Sequence, residues 1–89
     1  MANADLAKAN LSFANLSGAN LSGANLRSAN LCGAQLGGAD LHDAVVDGAR
    51  LDQADLRAST LDGATFVGAT AVGVLLDDDT QLDTATGAC

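Results

Sequence analysis

Leucine returns every fifth residue. Leu6, Leu11, Leu16, Leu21, Leu26, Leu31, Leu36 and Leu41 open the series, and Val46, Leu51, Leu56, Leu61, Phe66, Ala71 and Leu76 continue it without a gap. Alanine stands two places earlier, at every fifth position from Ala4 to Ala54, and Ser59, Ala64, Ala69 and Val74 extend that column. Fifteen consecutive units read A-(N/D)-L-x-x, and Gly fills the last place in eight of them. On an α-helix five residues advance ~500°, so each Leu would land ~140° from the one before and the apolar positions would wind around the surface. On a flat strand five residues reverse the face, and the Leu series would alternate sides. A chain that turns a corner after every five residues avoids both outcomes, because each short edge then points its Leu and Ala inward. Gly at the last place suits such a corner, since it lacks the Cβ that penalises unusual dihedrals. The period therefore predicts an all-β solenoid with four edges and about 20 residues per coil, neighbouring coils pairing like strands.

Units such as Ala14-Asn15-Leu16-Ser17-Gly18, Ala19-Asn20-Leu21-Ser22-Gly23 and Ala24-Asn25-Leu26-Arg27-Ser28 resemble those of the pentapeptide-repeat proteins, over roughly residues 4–78. The resemblance implies a right-handed quadrilateral parallel β-helix of about four coils, with the central Leu and the preceding Ala inside and the other three places facing solvent. It also implies that the Asn or Asp before each Leu, here Asn10, Asn15, Asn20, Asn25 and Asn30, hydrogen-bonds backbone between coils. Residues 1–78 form the expected repeat domain. Register fails after Asp78, where Gln81 takes the place due to Leu. Residues 79–89 read as a polar tail partly covering the last coil.

Composition excludes several classes. With no Trp, Tyr or Pro and two Phe, an aromatic-centred core is not available. No stretch holds 18 consecutive apolar residues, and the start lacks the basic and apolar runs of a signal peptide, so a cytoplasmic protein is expected. The net charge is −7, and all eleven acids are Asp. That balance disfavours nucleic acid and anionic membrane as partners. It is uneven: residues 1–38 hold Asp5, Lys8 and Arg27, for +1, whereas residues 39–89 hold ten Asp against Arg50 and Arg57, for −8. Cys32 and Cys89 do not make a disulfide framework, and no bridge between them within the chain is expected, while the sequence leaves a bridge from either to another molecule undecided.

Few side chains carry chemistry. The single His42 lies between Asp40 and Asp43, and a 20-residue coil stacks Asp62 next to it. This group admits a weak cation site, but no diagnostic ligand spacing supports one, and a solvated imidazole among three acids accounts for it. Cys32 stacks between Ser12 and Asp52 with no His or Lys to activate it. Asp77-Asp78-Asp79 lacks the Gly and distal Glu of a calcium loop and reads as a solvated charge run. Phe13 is the aromatic in an outward place, above Gly33: either an anchor for a partner or a ring filling the space that glycine leaves. Thr60, Thr65 and Thr70 fall on different edges, so they form no flat array.

A solenoid filled by Leu and Ala has no substrate pocket. Neither catalysis, a cofactor nor a metal is expected, and the interaction candidates are Phe13, Asp40, His42, Asp43 and Asp62. The expected function is a structural or protein-interaction module. With no capping segment before the first repeat, a homodimer through the N-terminal coil is also expected. The alternative is mimicry of DNA towards a type II topoisomerase, as some pentapeptide-repeat proteins show with gyrase. Seven charges over a ~19 Å rod give one per ~2.7 Å, against one per ~1.7 Å in duplex DNA. One rod also falls short of a duplex turn, ~34 Å, which two joined end to end would exceed.

Overall fold

The computed structural model describes residues 2–76. Within each five-residue unit the chain makes one tight turn, closed by a hydrogen bond from the next Ala to the central Leu. The Ala9 amide donates to the Leu6 carbonyl at 3.0 Å and the Ala24 amide to the Leu21 carbonyl at 3.0 Å. The last residue of every unit, from Asn3 to Gly73, has a positive φ, while the residue before it does not. This combination defines a type II turn, which requires positive φ at its third residue. Eight of the fifteen positions are Gly; the other seven are Asn3, Lys8, Phe13, Ser28, Asp43, Gln53 and Ala58.

Successive turns bring the chain back over itself after 20 residues. Parallel bridges pair Asp5 with Asn25, Asn25 with Val45 and Val45 with Thr65, and corresponding series run through Asn10, Asn15 and Asn20. Four sides thus stack in register: side 1 (units of Leu6, Leu26, Val46, Phe66), side 2 (Leu11, Leu31, Leu51, Ala71), side 3 (Leu16, Leu36, Leu56, Leu76) and side 4 (Leu21, Leu41, Leu61). The coils are coil 1 (4–23), coil 2 (24–43), coil 3 (44–63) and coil 4, described over 64–76. Each side contributes a single bridged residue rather than a long strand. Between coils the Leu6 amide donates to Asn25 O at 2.7 Å, the Asn25 amide to Ala4 O at 2.8 Å and the Lys8 amide to Arg27 O at 2.8 Å.

The interior is the column the period demands. Leu21, Leu26, Leu31 and Leu56 are fully buried, as are Ala24, Ala29, Ala34, Ala39, Ala44, Ala49 and Ala54. Each such Leu contributes ~1.5–3 kcal/mol by leaving water. Leu6 and Leu11, in coil 1, are only half-buried. Met1, the Asp77–Asp79 run, Cys89 and the tail expected over 79–89 lie outside the described residues.

Three expectations need correction. The Asn and Asp side chains before the Leu accept a backbone amide of their own unit rather than bonding backbone between coils. Where two of them meet across coils the bond is side chain to side chain, Asn25 Nδ2 donating to Asp5 Oδ1 at 3.4 Å. Asn10 Oδ1 accepts the Ser12 amide at 3.2 Å and Asn30 Oδ1 the Cys32 amide at 3.1 Å. The side chain is short enough to fold back on the amide two residues ahead, which shapes entry into the turn. Nor do all outward places face solvent: Asp52 is 4% exposed. Its Oδ1 accepts the Val72 amide at 2.6 Å and its Oδ2 the Thr70 hydroxyl at 3.2 Å, one coil away. Finally, Cys32 is disulfide-bonded, which removes it as a nucleophile.

Candidate interaction surfaces

Side 4 gathers the acidic candidates. Asp40 Oδ1 accepts the His42 amide at 3.0 Å, which sets the turn that lifts His42 and Asp43 to the corner. His42 Nε2 lies 3.3 Å from Asp43 Oδ2, both side chains well exposed. His42 Nδ1 lies 2.9 Å from the main-chain carbonyl of Asp62, which also accepts the Asp43 amide at 2.9 Å. Stacking therefore does bring Asp62 to His42, but through its backbone oxygen. The imidazole spans two coils, with an acceptor against each ring nitrogen. Among the described residues no three or more His, Cys, Asp or Glu side chains converge as a metal site would need. What the side presents is an exposed acidic strip holding one imidazole.

Phe13 lies over Gly33, as the second reading of its position has it. It is 76% exposed, yet one face of its ring covers Gly33, where an added Cβ would stand 2.6 Å from ring carbons Cδ1 and Cε1. The same pairing recurs at the corners: Asn3 covers Gly23, Asp43 covers Gly63 and Gln53 approaches Gly73. A side chain on one coil thus occupies the room a glycine leaves on the next.

Several surface features were not singled out from the sequence. Arg57 and Asp55 form a two-pronged pair on side 3, Nε to Oδ1 at 3.0 Å and Nη2 to Oδ2 at 2.8 Å. The Arg57 side-chain hydrogen bonds, and then its amide, lower the Asp55 pKa from 3.8 to about 2. An x-Asp-x-Arg spacing within one unit was a usable signal, because the corner bends the two side chains together. Val67, Val72 and Leu75 are exposed on coil 4. Asp47 Oδ1 accepts the Val67 amide at 2.9 Å, a second carboxylate reaching across coils. No helix of the described residues is long and apolar enough to cross a membrane.

The family model for pentapeptide repeats matches residues 4–43 and 39–78. No curated protein matches the chain. Among solved structures, it is similar to a pentapeptide repeat protein from the Arabidopsis thaliana thylakoid lumen, at 25% identity over 94% of this chain and 61% of that one, TM-score 0.48. It is also similar to QnrB1, a plasmid-mediated fluoroquinolone resistance protein, at 29% identity over 78% of this chain and 37% of that one, TM-score 0.48. A pentapeptide repeat protein from Nostoc is 34% identical over 85% of this chain and 83% of that one, TM-score 0.38. The chain therefore spans less than two thirds of the first two proteins.

Proposed function

The chain belongs to the pentapeptide-repeat family, whose members fold as right-handed β-helices, and from that premise we propose that it is an acidic rod of about four coils serving as a structural or protein-interaction module, without catalysis. The observation that carries this reading is the division of the chain between inside and outside. Leu and Ala fill the interior, while the chemically capable side chains, Asp40, His42, Asp43, Asp62 and Phe13, stand outside. A surface of this kind recognises by shape and charge rather than by enclosing a substrate.

Two sets of variants test it: Phe13→Ser, and Asp40→Lys with Asp62→Lys, each confirmed as folded by circular dichroism. A protein partner that co-purifies with the wild type is expected to be lost with one set and kept with the other. Partners retained by both sets would remove these surfaces from the reading. A second copy docking on coil 1 is supported by the half-buried Leu6 and Leu11. A strict monomer by light scattering at high concentration would sink that part.

The second reading, DNA mimicry towards gyrase, draws on the strip formed by Asp40, Asp43 and Asp62. Against it, Asp47 and Asp52 turn their carboxylates to the amides of coil 4, and Arg57 pairs Asp55. A supercoiling assay discriminates: neither inhibition nor protection of gyrase at micromolar protein rejects mimicry.

A further inference from the structure

The local device that shapes each turn fades along the chain. In coil 1 all four residues before the Leu, Asp5, Asn10, Asn15 and Asn20, accept the amide two places ahead. In coil 2 three do so, Asn25, Asn30 and Asp40. In coil 3 only Asp55 does, and in coil 4 the places hold Thr65, Thr70 and Leu75, none with that bond. In coils 1 and 2 seven of the eight amides at this place are thus held within their own units. Those of coil 4 are held from outside, the Val67 amide by Asp47 at 2.9 Å and the Val72 amide by Asp52 at 2.6 Å. Both carboxylates belong to coil 3, so the bonds exist only while coil 4 is docked.

We propose that residues 64–76 open as a unit ahead of the rest of the solenoid, with Asp47 and Asp52 as the latches. In a solenoid each coil is stabilised by its own structure and by its interface with the next. The turns of coil 4 keep their closing bonds, the Ala69 amide to Phe66 O at 3.0 Å and the Val74 amide to Ala71 O at 3.3 Å, but lack the side-chain acceptor. This coil therefore leans more on the interface, and its opening becomes the lowest sub-global excursion of the molecule. Undocking would free the amides of Val46, Gly48, Leu51, Gln53 and Leu56, which donate to Thr65, Val67, Thr70, Val72 and Leu75 carbonyls at 2.8 Å. That row is an open strand edge, the kind of surface an extended segment can pair with.

Residue-resolved hydrogen exchange on the full chain tests the device. The Thr65, Val67, Thr70, Val72 and Leu75 amides, with the five coil-3 amides above, should exchange through one shared opening. That opening should be at least about tenfold more frequent than that of the Leu6, Leu11 and Leu16 amides, which tie coil 1 to coil 2. Asp47→Ala with Asp52→Ala should raise coil-4 exchange by a further factor of about ten or more and leave coil 1 unchanged. Adding Thr65→Asn and Thr70→Asn, which supply the local acceptor, should restore protection. If the double alanine chain does not fold, the two Asn changes in the wild type should still slow coil-4 exchange alone. Uniform exchange across all coils, an equal loss of protection in coils 1 and 4, or no effect of the Asn changes would each overturn the proposal.

Discussion

At the scale of single residues, the corners discriminate between positions that look alike in sequence. Gly18 and Gly33 have almost the same φ, +70° and +69°, but nothing lies within 4 Å of a Cβ at Gly18, whereas Phe13 fills that space at Gly33. Gly18→Ala should cost only the left-handed backbone penalty, ~1–2 kcal/mol. Gly33→Ala should add an overpacking term of ~1–3 kcal/mol. Phe13→Ala in the Gly33→Ala background should recover that excess, as urea titrations of the three chains would show. Asp55 offers a pH test with a definite sign. Its folded pKa, about 2, lies below the ordinary 3.8, so its contribution to stability is complete above that ordinary value and is lost as pH falls towards 2. Melting temperatures between pH 5 and 2 should therefore fall more steeply for the wild type than for Arg57→Gln, which lacks the group holding the carboxylate charged.

At the scale of a coil side, the repeated unit combines a buried pair, a turn and a bridge. The buried pair dominates energetically. Leu36 is 1% exposed between stacked leucines, and Leu36→Ala should cost ~2–5 kcal/mol. Leu6→Ala, at a half-buried position of coil 1, should cost clearly less. Denaturation midpoints at constant m-value check the ranking. The inward Leu and Ala were legible from the sequence because a five-residue period admits few backbones. The role of the residue before the Leu was misread. Asn and Asp were expected to join coils, yet their side chains are short and meet the nearest amide first, two residues ahead in the same turn. Amides of the neighbouring coil are taken instead by Asp47 and Asp52, two places further on, where Thr65 and Thr70 leave those amides open.

At the scale of the whole molecule, contacts between coils follow a rule of twenty. Duplicating residues 24–43 inserts one full coil and keeps every later residue on its side. Duplicating only residues 59–63 after Gly63 rotates coil 4 by one side, so Val72 no longer meets Asp52. The first chain should melt at or above the wild-type temperature, and the second several degrees below it, about 4–8 °C per kcal/mol lost. Thermal scans followed by circular dichroism decide. The surface obeys the same rule. His42 reaches Asp62 because the two are 20 residues apart, but which atom it reaches depends on how the corner turns.

The sequence alone determined the coiled form, the residues inside it and the excess of acid outside. These follow from periodicity, which restricts the backbone before any contact is known, and from charge, which needs only counting. The tertiary structure decided the rest. It placed the Asp62 carbonyl rather than its carboxylate at His42, laid Phe13 over Gly33, buried Asp52 and joined Arg57 to Asp55. Each depends on the direction a side chain takes at a corner. That direction is set by a positive φ and by the neighbour one coil away, and a repeat of five does not carry this information.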